Sequence, residues 1–184
     1  MKGLQYALIC AVVATLHGGA SALAQETPAP EAGATRIVQF EDEVSYAHVE
    51  PARLDDQPGL AVIFEGTDDL HYYARSETAP APGLQLKVEA EAPGLEFGDA
   101  VFPAWEMFRD STGANVEVYV GDFTIFVPIR PESLADVQGS MEVTVRIAGI
   151  ACTSMLCLPP FETTVSATIE PGQAETWEAV SLGD

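Results

Sequence analysis

The sequence predicts an all-β fold, an antiparallel β-sandwich, on three observations. Short apolar or alternating stretches recur along the chain, clusters of Pro, Gly and Asp close them, and no segment keeps a helical period for three turns. Residues 36–40 (RIVQF), 44–50 (VSYAHVE) and 59–65 (GLAVIFE) read as the first strands. LHYYAR at 70–75 and LQLKVEA at 84–90 follow. Further on come VEVYVG at 116–121, DFTIFVPI at 122–129, MEVTVRIAG at 141–149 and FETTVSATI at 161–169. Residues 55–59 (DDQPG), 79–83 (APAPG) and 92–94 (APG) are the turn punctuation between them. Within 141–149 the period of two puts Val143, Val145 and Ile147 on one face and Thr144 and Arg146 on the other, which marks a sheet with one wet side.

The ends of the chain read differently. Lys2 precedes an apolar run from Leu4 to Leu16, which is followed by small residues ending in Ala22-Leu23-Ala24. That order predicts a cleaved secretory signal peptide over 1–24, because the run is short for a bilayer span and no stop-transfer pattern follows. Residues 25–35 (QETPAPEAGAT) have no apolar period and predict a disordered leader. The sandwich domain is expected over 36–170. The tail over 171–184, with Trp177, either covers a sheet edge or is loose.

Eight Lys and Arg stand against 28 Asp and Glu in 184 residues, a formal net charge of -20. Loss of residues 1–24 removes Lys2 and no acid, so the imbalance grows by one. Such a surface repels phosphates and anionic lipid, which argues against nucleic acid as a partner and against membrane insertion of the mature chain. The same cleavage removes Cys10 and leaves Cys152 and Cys157 as the only cysteines.

Residues 97–114 (FGDAVFPAWEMFRDSTGA) break the strand rhythm. Phe97, Phe102, Trp105, Met107 and Phe108 crowd into a predicted loop, and side chains of that size must be buried against the sandwich or a partner. The two cysteines lie in RIAGIACTSMLCLPPF at 146–161, between one apolar strand and the next. Paired as a hairpin, those strands bring the thiols within reach of each other, and Pro159-Pro160 interrupts the ladder just beyond. Three uses of the pair remain open at this point. A structural disulfide is the default for an exported chain, and its short loop contributes about 2 kcal/mol on the chain-entropy model. A metal site lacks further ligands, since His71 is far away in sequence. A redox pair that opens and closes by thiol exchange is the third.

AGIACTSMLCLPPFETTV resembles the hallmark of the periplasmic N-terminal domain of the thiol:disulfide interchange protein DsbD and its ScsB-like relatives. In that family a strand ending in Ala or Gly and Cys is followed by a second Cys leading into paired prolines. DDLHYYAR at 68–75 resembles the family's aromatic strand beside the disulfide, and 103–129 its cap loop and following strand pair. The resemblance covers roughly residues 40 to 169. It implies an immunoglobulin-like sandwich with an aromatic cap, no cofactor and no metal, and a periplasmic location. Its cysteine pair would take electrons from a membrane-embedded thiol carrier and pass them to periplasmic thioredoxin-like clients. Those clients would be disulfide isomerases, cytochrome c maturation proteins or copper-stress thiol proteins. Carried over by residue, Cys152 and Cys157 are the redox pair, Tyr72 and Tyr73 the flanking aromatics, and Trp105, Glu106 and Phe108 belong to the shielding cap. Which cysteine forms the mixed disulfide depends on which sulfur is exposed, and analogy favours Cys157.

The spacing of four residues between the cysteines differs by one from the best-known members, and the cap aligns only with gaps. Neither a membrane domain nor a C-terminal thioredoxin domain is expected after the sandwich, so electrons are expected from separate proteins. Arg146 is the nearest cation in sequence, so the acidic chain is expected to raise the thiol pKa and slow spontaneous attack. Glu106 and Asp110 fit a gating role and a solvated one equally. His48 and His71 read as half-buried packing residues. A non-catalytic binding module, with the disulfide stapling a hairpin and the aromatic loop docking a partner, is the alternative to the redox carrier.

Overall fold

In the computed structural model, residues 33–183 are described, apart from positions 111 and 136. The expected signal peptide and residues 25–32 of the expected leader lie outside the described residues.

β1 (Thr35–Phe40), β2 (Glu43–Leu54) and β3 (Gln57–Gly66) form an antiparallel meander. Its two turns, Glu41-Asp42 and Asp55-Asp56, use left-handed backbone at Glu41 (φ 52°) and Asp55 (φ 55°), a conformation that short polar side chains tolerate best. β2 is longer than its apolar alternation predicts and carries Pro51. The proline is accommodated because it falls between the residues of β2 that pair with β1 and those that pair with β12 (Glu178–Val180). β8 (Phe123–Pro128) extends this layer on the far side of β3.

The opposing layer has two parts. β4 (His71–Tyr73) lies between β10 (Ala151–Cys152) and β7 (Asn115–Val120), with β6 (Glu106–Arg109) outside β7. β9 (Met141–Gly149) lies between β5 (Lys87–Glu91) and β11 (Phe161–Ile169). Only Ile150 separates β9 from β10, so one line of chain serves both parts, and the Leu86 amide donates to the Tyr73 carbonyl at 2.9 Å between them. One helical turn, α1 (Pro131–Leu134), connects β8 to β9.

Between the layers, Leu60, Val62 and Phe64 of β3 and Ile125 and Val127 of β8 meet Val143, Val145 and Ile147 of β9, as their period of two predicts. The run GLAVIFE is apolar on both faces for a reason visible only here. Ala61 packs on the outer face with Ala52 and Phe126, and Val180 and Leu182 of the tail cover them. Gly59 permits this close packing, since a Cβ there would stand 2.4 Å from the Phe126 ring and 2.5 Å from the Val127 carbonyl oxygen.

Two expectations are corrected. Residues 97–114 are not all loop: Phe97 and Val101 bridge to Ile129 and Phe126, and β6 pairs with β7. The strand escapes periodicity because three of its four residues are exposed, so its pairing comes from the free edge of β7 and from the turn after it. In that turn the Asp110 carboxylate accepts hydrogen bonds from the Thr112 amide (2.9 Å), the Thr112 hydroxyl (2.7 Å) and the Ala114 amide (3.0 Å). The Thr112 hydroxyl leads in holding the Asp110 carboxyl below its ordinary range. Residue 35, the last of the expected leader, already belongs to β1.

Candidate functional site

The cysteine segment is the tip of a hairpin. β9 and β11 run antiparallel from Met141 opposite Ile169 to Gly149 opposite Phe161, and Cys152 bridges to Cys157 beyond them. The Thr153 amide donates to the Leu156 carbonyl at 2.8 Å and the Leu158 amide to the Ala151 carbonyl at 2.9 Å. Cys152 and Cys157 are thus a non-hydrogen-bonded antiparallel pair, the kind whose Cα atoms approach most closely. Here they stand 3.9 Å apart and are joined by a disulfide. Pro159 and Pro160 offer no N–H and sit where the ladder changes register between the tip and the main hairpin.

The two cysteines are in different surroundings. Cys152 is 1% exposed and packs with Tyr73, Val116, Val118 and Ile150 in a small cluster on the outer face of the second layer. Cys157 is exposed, as are Met155, Leu156, Pro159 and Pro160 around it. Exchange requires in-line approach of a thiolate to one sulfur, and access here is through Cys157.

The side chains predicted to flank or shield the pair fall on different faces. Tyr73 joins the cluster around Cys152, whereas Tyr72, one residue earlier on the strand, turns to the main core against Phe64 and Phe161. Burial pushes the phenols of both tyrosines up. Phe108 packs against the cluster that holds Cys152 and lies over the His71 ring, with centroids 4.1 Å apart. Trp105 is 40% exposed with the Arg75 guanidinium 5.5 Å from its ring centroid, and Glu106 is exposed. Of the three cap residues Trp105, Glu106 and Phe108, Phe108 alone therefore packs on the disulfide's own cluster, which Tyr73 completes from β4. Arg146 does not serve the cysteines: it lies on the open face of β9, bonded to Glu89 (2.5 Å) and Glu162 (3.0 Å).

Asp69, to which sequence reasoning assigned no role, and His71, to which it assigned only a packing role, complete the site. The Asp69 carboxylate accepts from the Ser154 amide at 2.9 Å and the Ser154 hydroxyl at 3.0 Å, pinning the loop between the cysteines to a residue 85 positions earlier. Nothing local in the sequence signals that contact. His71, expected to be a half-buried packing residue, is fully buried and stands directly opposite Cys152 in the β4–β10 pair. Its Nδ1 lies 3.0 Å from the Asp69 carbonyl oxygen. Burial lowers the His71 pKa below 6.5, against the opposing pull of the Asp69 carbonyl and the charges of Asp69 and Asp110.

That shift has a sign for stability. The native ring stays neutral where the unfolded ring, with its ordinary pKa of about 6.5, takes up a proton, so the unfolded state binds more protons below that pH. The contribution is complete above about pH 6.5 and is lost as the pH falls toward the lowered native value. Urea unfolding from about pH 7.5 down to about pH 5 is expected to show a loss of up to about 1.4 kcal/mol per pH unit from this group, and His71→Phe to remove it. An identical pH slope in that variant would assign the dependence to other groups.

Compared with known proteins, the chain matches the family model of the N-terminal domain of thiol:disulfide interchange protein DsbD over residues 38–169. The chain belongs to this DsbD N-terminal family. Membership bears out the resemblance read from the cysteine segment, and the two packed antiparallel layers agree with the immunoglobulin-like sandwich expected of it. The family is one of thiol:disulfide interchange, and the Cys152–Cys157 disulfide lies within the matched region.

Among solved structures, the reduced DsbD N-terminal domain of Neisseria meningitidis is 19% identical, with a TM-score of 0.43 over 67% of this chain and 86% of that one. The complex of the DsbD and PilB N-terminal domains from the same organism gives 19% identity and a TM-score of 0.43, covering 68% and 88%. The N-terminal periplasmic domain of ScsB from Proteus mirabilis gives 10% identity and a TM-score of 0.48, covering 76% of this chain and 52% of that domain. No curated protein matches. No helix among the described residues is long and apolar enough to cross a membrane.

Proposed function

We propose that this chain is a periplasmic thiol-disulfide exchange protein that carries two electrons on Cys152 and Cys157. The asymmetry of the pair supports this reading most directly: one cysteine is exposed at a hairpin tip and the other is buried among Tyr73, Val116, Val118 and Ile150. In the reduced protein the Cys157 thiolate attacks a partner's disulfide, giving a mixed disulfide and one partner thiolate. Cys152 then attacks the Cys157 sulfur, the bond to the partner breaks, and the partner leaves with both its sulfurs reduced. The exposed apolar side chains Met155 and Leu156 beside Cys157 offer a partner a surface with little charge on a strongly acidic protein. Family membership favours thioredoxin-like clients, such as disulfide isomerases, cytochrome c maturation proteins or copper-stress thiol proteins. It also favours a membrane-embedded thiol carrier as electron donor. The export signal expected at 1–24 supports the periplasm as the site of exchange.

A redox titration tests the proposal. Equilibrated against glutathione buffers and followed by thiol alkylation and mass analysis, the pair is expected to reach half-reduction above about -300 mV. A bond still closed at lower potentials is a structural staple and leaves the protein a binding module.

A further inference from the structure

His71 and Cys152 are direct cross-strand partners, so their side chains leave the same face of the second layer. Both are buried, at 0% and 1% exposure. A carbonyl oxygen can only accept, so the His71 Nδ1 that faces the Asp69 carbonyl at 3.0 Å carries the ring hydrogen, and Nε2 carries a lone pair. That Nε2 is buried and has no hydrogen-bond partner while the disulfide is closed. A buried polar atom in that position calls for an explanation, and a role in redox chemistry is one. In the closed state the sulfur opposite has no proton to offer, and in the reduced state it has one.

The groups around the ring narrow its use. β6 presents Phe108, β4 presents Tyr73, and Val118 of β7 lies in the adjoining cluster. The charges acting on His71 are those of Asp69 and Asp110, and both are negative. Its environment therefore favours a neutral ring at rest through burial, with carboxylates at hand to steady a proton taken up briefly. Cys152 has the opposite need, because a thiol packed among apolar side chains resists ionisation and yet must become a nucleophile to complete exchange.

We propose that His71 Nε2 accepts the proton of Cys152 in the second half of the exchange, an inference that rests on Cys157 being the sulfur that attacks first. Once Cys157 is bonded to the partner, Cys152 gives its proton to Nε2 as its electron pair forms the bond to the Cys157 sulfur. The bond between Cys157 and the partner breaks, and its electron pair leaves on the partner's sulfur. That thiolate takes the proton back from the imidazolium, directly or through water. The cysteine pair is oxidised by two electrons, the partner's disulfide is reduced by two, and the imidazole ends neutral.

The test uses the full mature chain, reduced and mixed with one equivalent of dithiobis(nitrobenzoate), a small aromatic disulfide whose released thiolate absorbs light. Each turnover gives two bursts, the first from attack on the reagent and the second from resolution by Cys152. With an internal base the second phase of the wild type is expected to stay nearly flat from about pH 7 to about pH 8.5. His71→Phe and His71→Gln are each expected to slow that phase at pH 7 by about tenfold or more. Each should also make it climb about tenfold per pH unit, with the first phase kept within about twofold. A wild-type second phase that already climbs tenfold per pH unit overturns the proposal, as does a variant with an unchanged second phase. The wild-type profile decides the matter if circular dichroism shows that neither variant folds. Failure of the underlying reading looks different: either no second phase appears, or Cys152→Ser loses the first phase while Cys157→Ser keeps it.

Discussion

Cys157→Ser is expected to lower the rate of exchange with a protein disulfide by at least about a thousandfold, while Cys152→Ser is expected to accumulate a mixed disulfide instead. The reason is geometric. Cys157 is exposed at the hairpin tip and Cys152 is 1% exposed, so a partner's sulfur can line up with the first and not with the second. A serine at 157 removes the only reachable nucleophile and leaves a thiol sealed under Tyr73, Val116 and Val118. A serine at 152 leaves the attack intact and removes the group that resolves the intermediate. Mixing each variant with an oxidised thioredoxin-like protein, quenching with acid and weighing the products by intact mass distinguishes them. The covalent adduct should form with Cys152→Ser alone. Equal adducts from both variants, or adduct from Cys157→Ser only, would reverse the assignment of the attacking sulfur.

Phe64→Ala is expected to destabilise the fold by about 3–5 kcal/mol. Phe64 is fully buried in β3, stacked on Phe123 at 4.5 Å and edge-on to Tyr72 at 5.7 Å. The truncation removes a ring's buried area and two aromatic contacts, and it leaves a cavity that neighbours held in two sheets cannot collapse to fill. Against a typical total of about 5–15 kcal/mol, the loss is a large part of all the stability there is. Because Tyr72 is the strand neighbour of His71 and Tyr73, the same change should also loosen the floor under the disulfide. Urea unfolding gives the number directly, with Met155→Ala as the comparison. Met155 is 68% exposed, and its truncation should move stability by no more than about 0.5 kcal/mol. A Phe64→Ala cost below about 1 kcal/mol would mean that the two layers are not locked together through this ring.

The β-sandwich was legible because burial on one face of a strand writes a period of two into the chain, as in Val143, Val145 and Ile147. β6, β10 and β12 were not legible. Three of the four residues in β6 are exposed, β10 is two residues long, and β12 pairs in parallel with a strand more than a hundred residues earlier. None of these has a local pattern to read. The tail illustrates the general case: its sequence permitted either a cover or a loose end, and the outer face around Ala61 and Phe126 decided for the cover.

By itself the amino-acid sequence determined the all-β class, the acidic surface, the pairing of Cys152 with Cys157 as the one chemistry-bearing motif, and the family, because composition, period and short motifs are local properties. Only the tertiary structure decided which cysteine is exposed, that Asp69 holds the loop between the cysteines, that Phe108 and not Trp105 closes on their cluster, and that His71 stands opposite Cys152. Each of those facts depends on strands far apart in the chain meeting in one register. A register is set by the burial of a whole face at once, so no stretch of sequence read alone contains it.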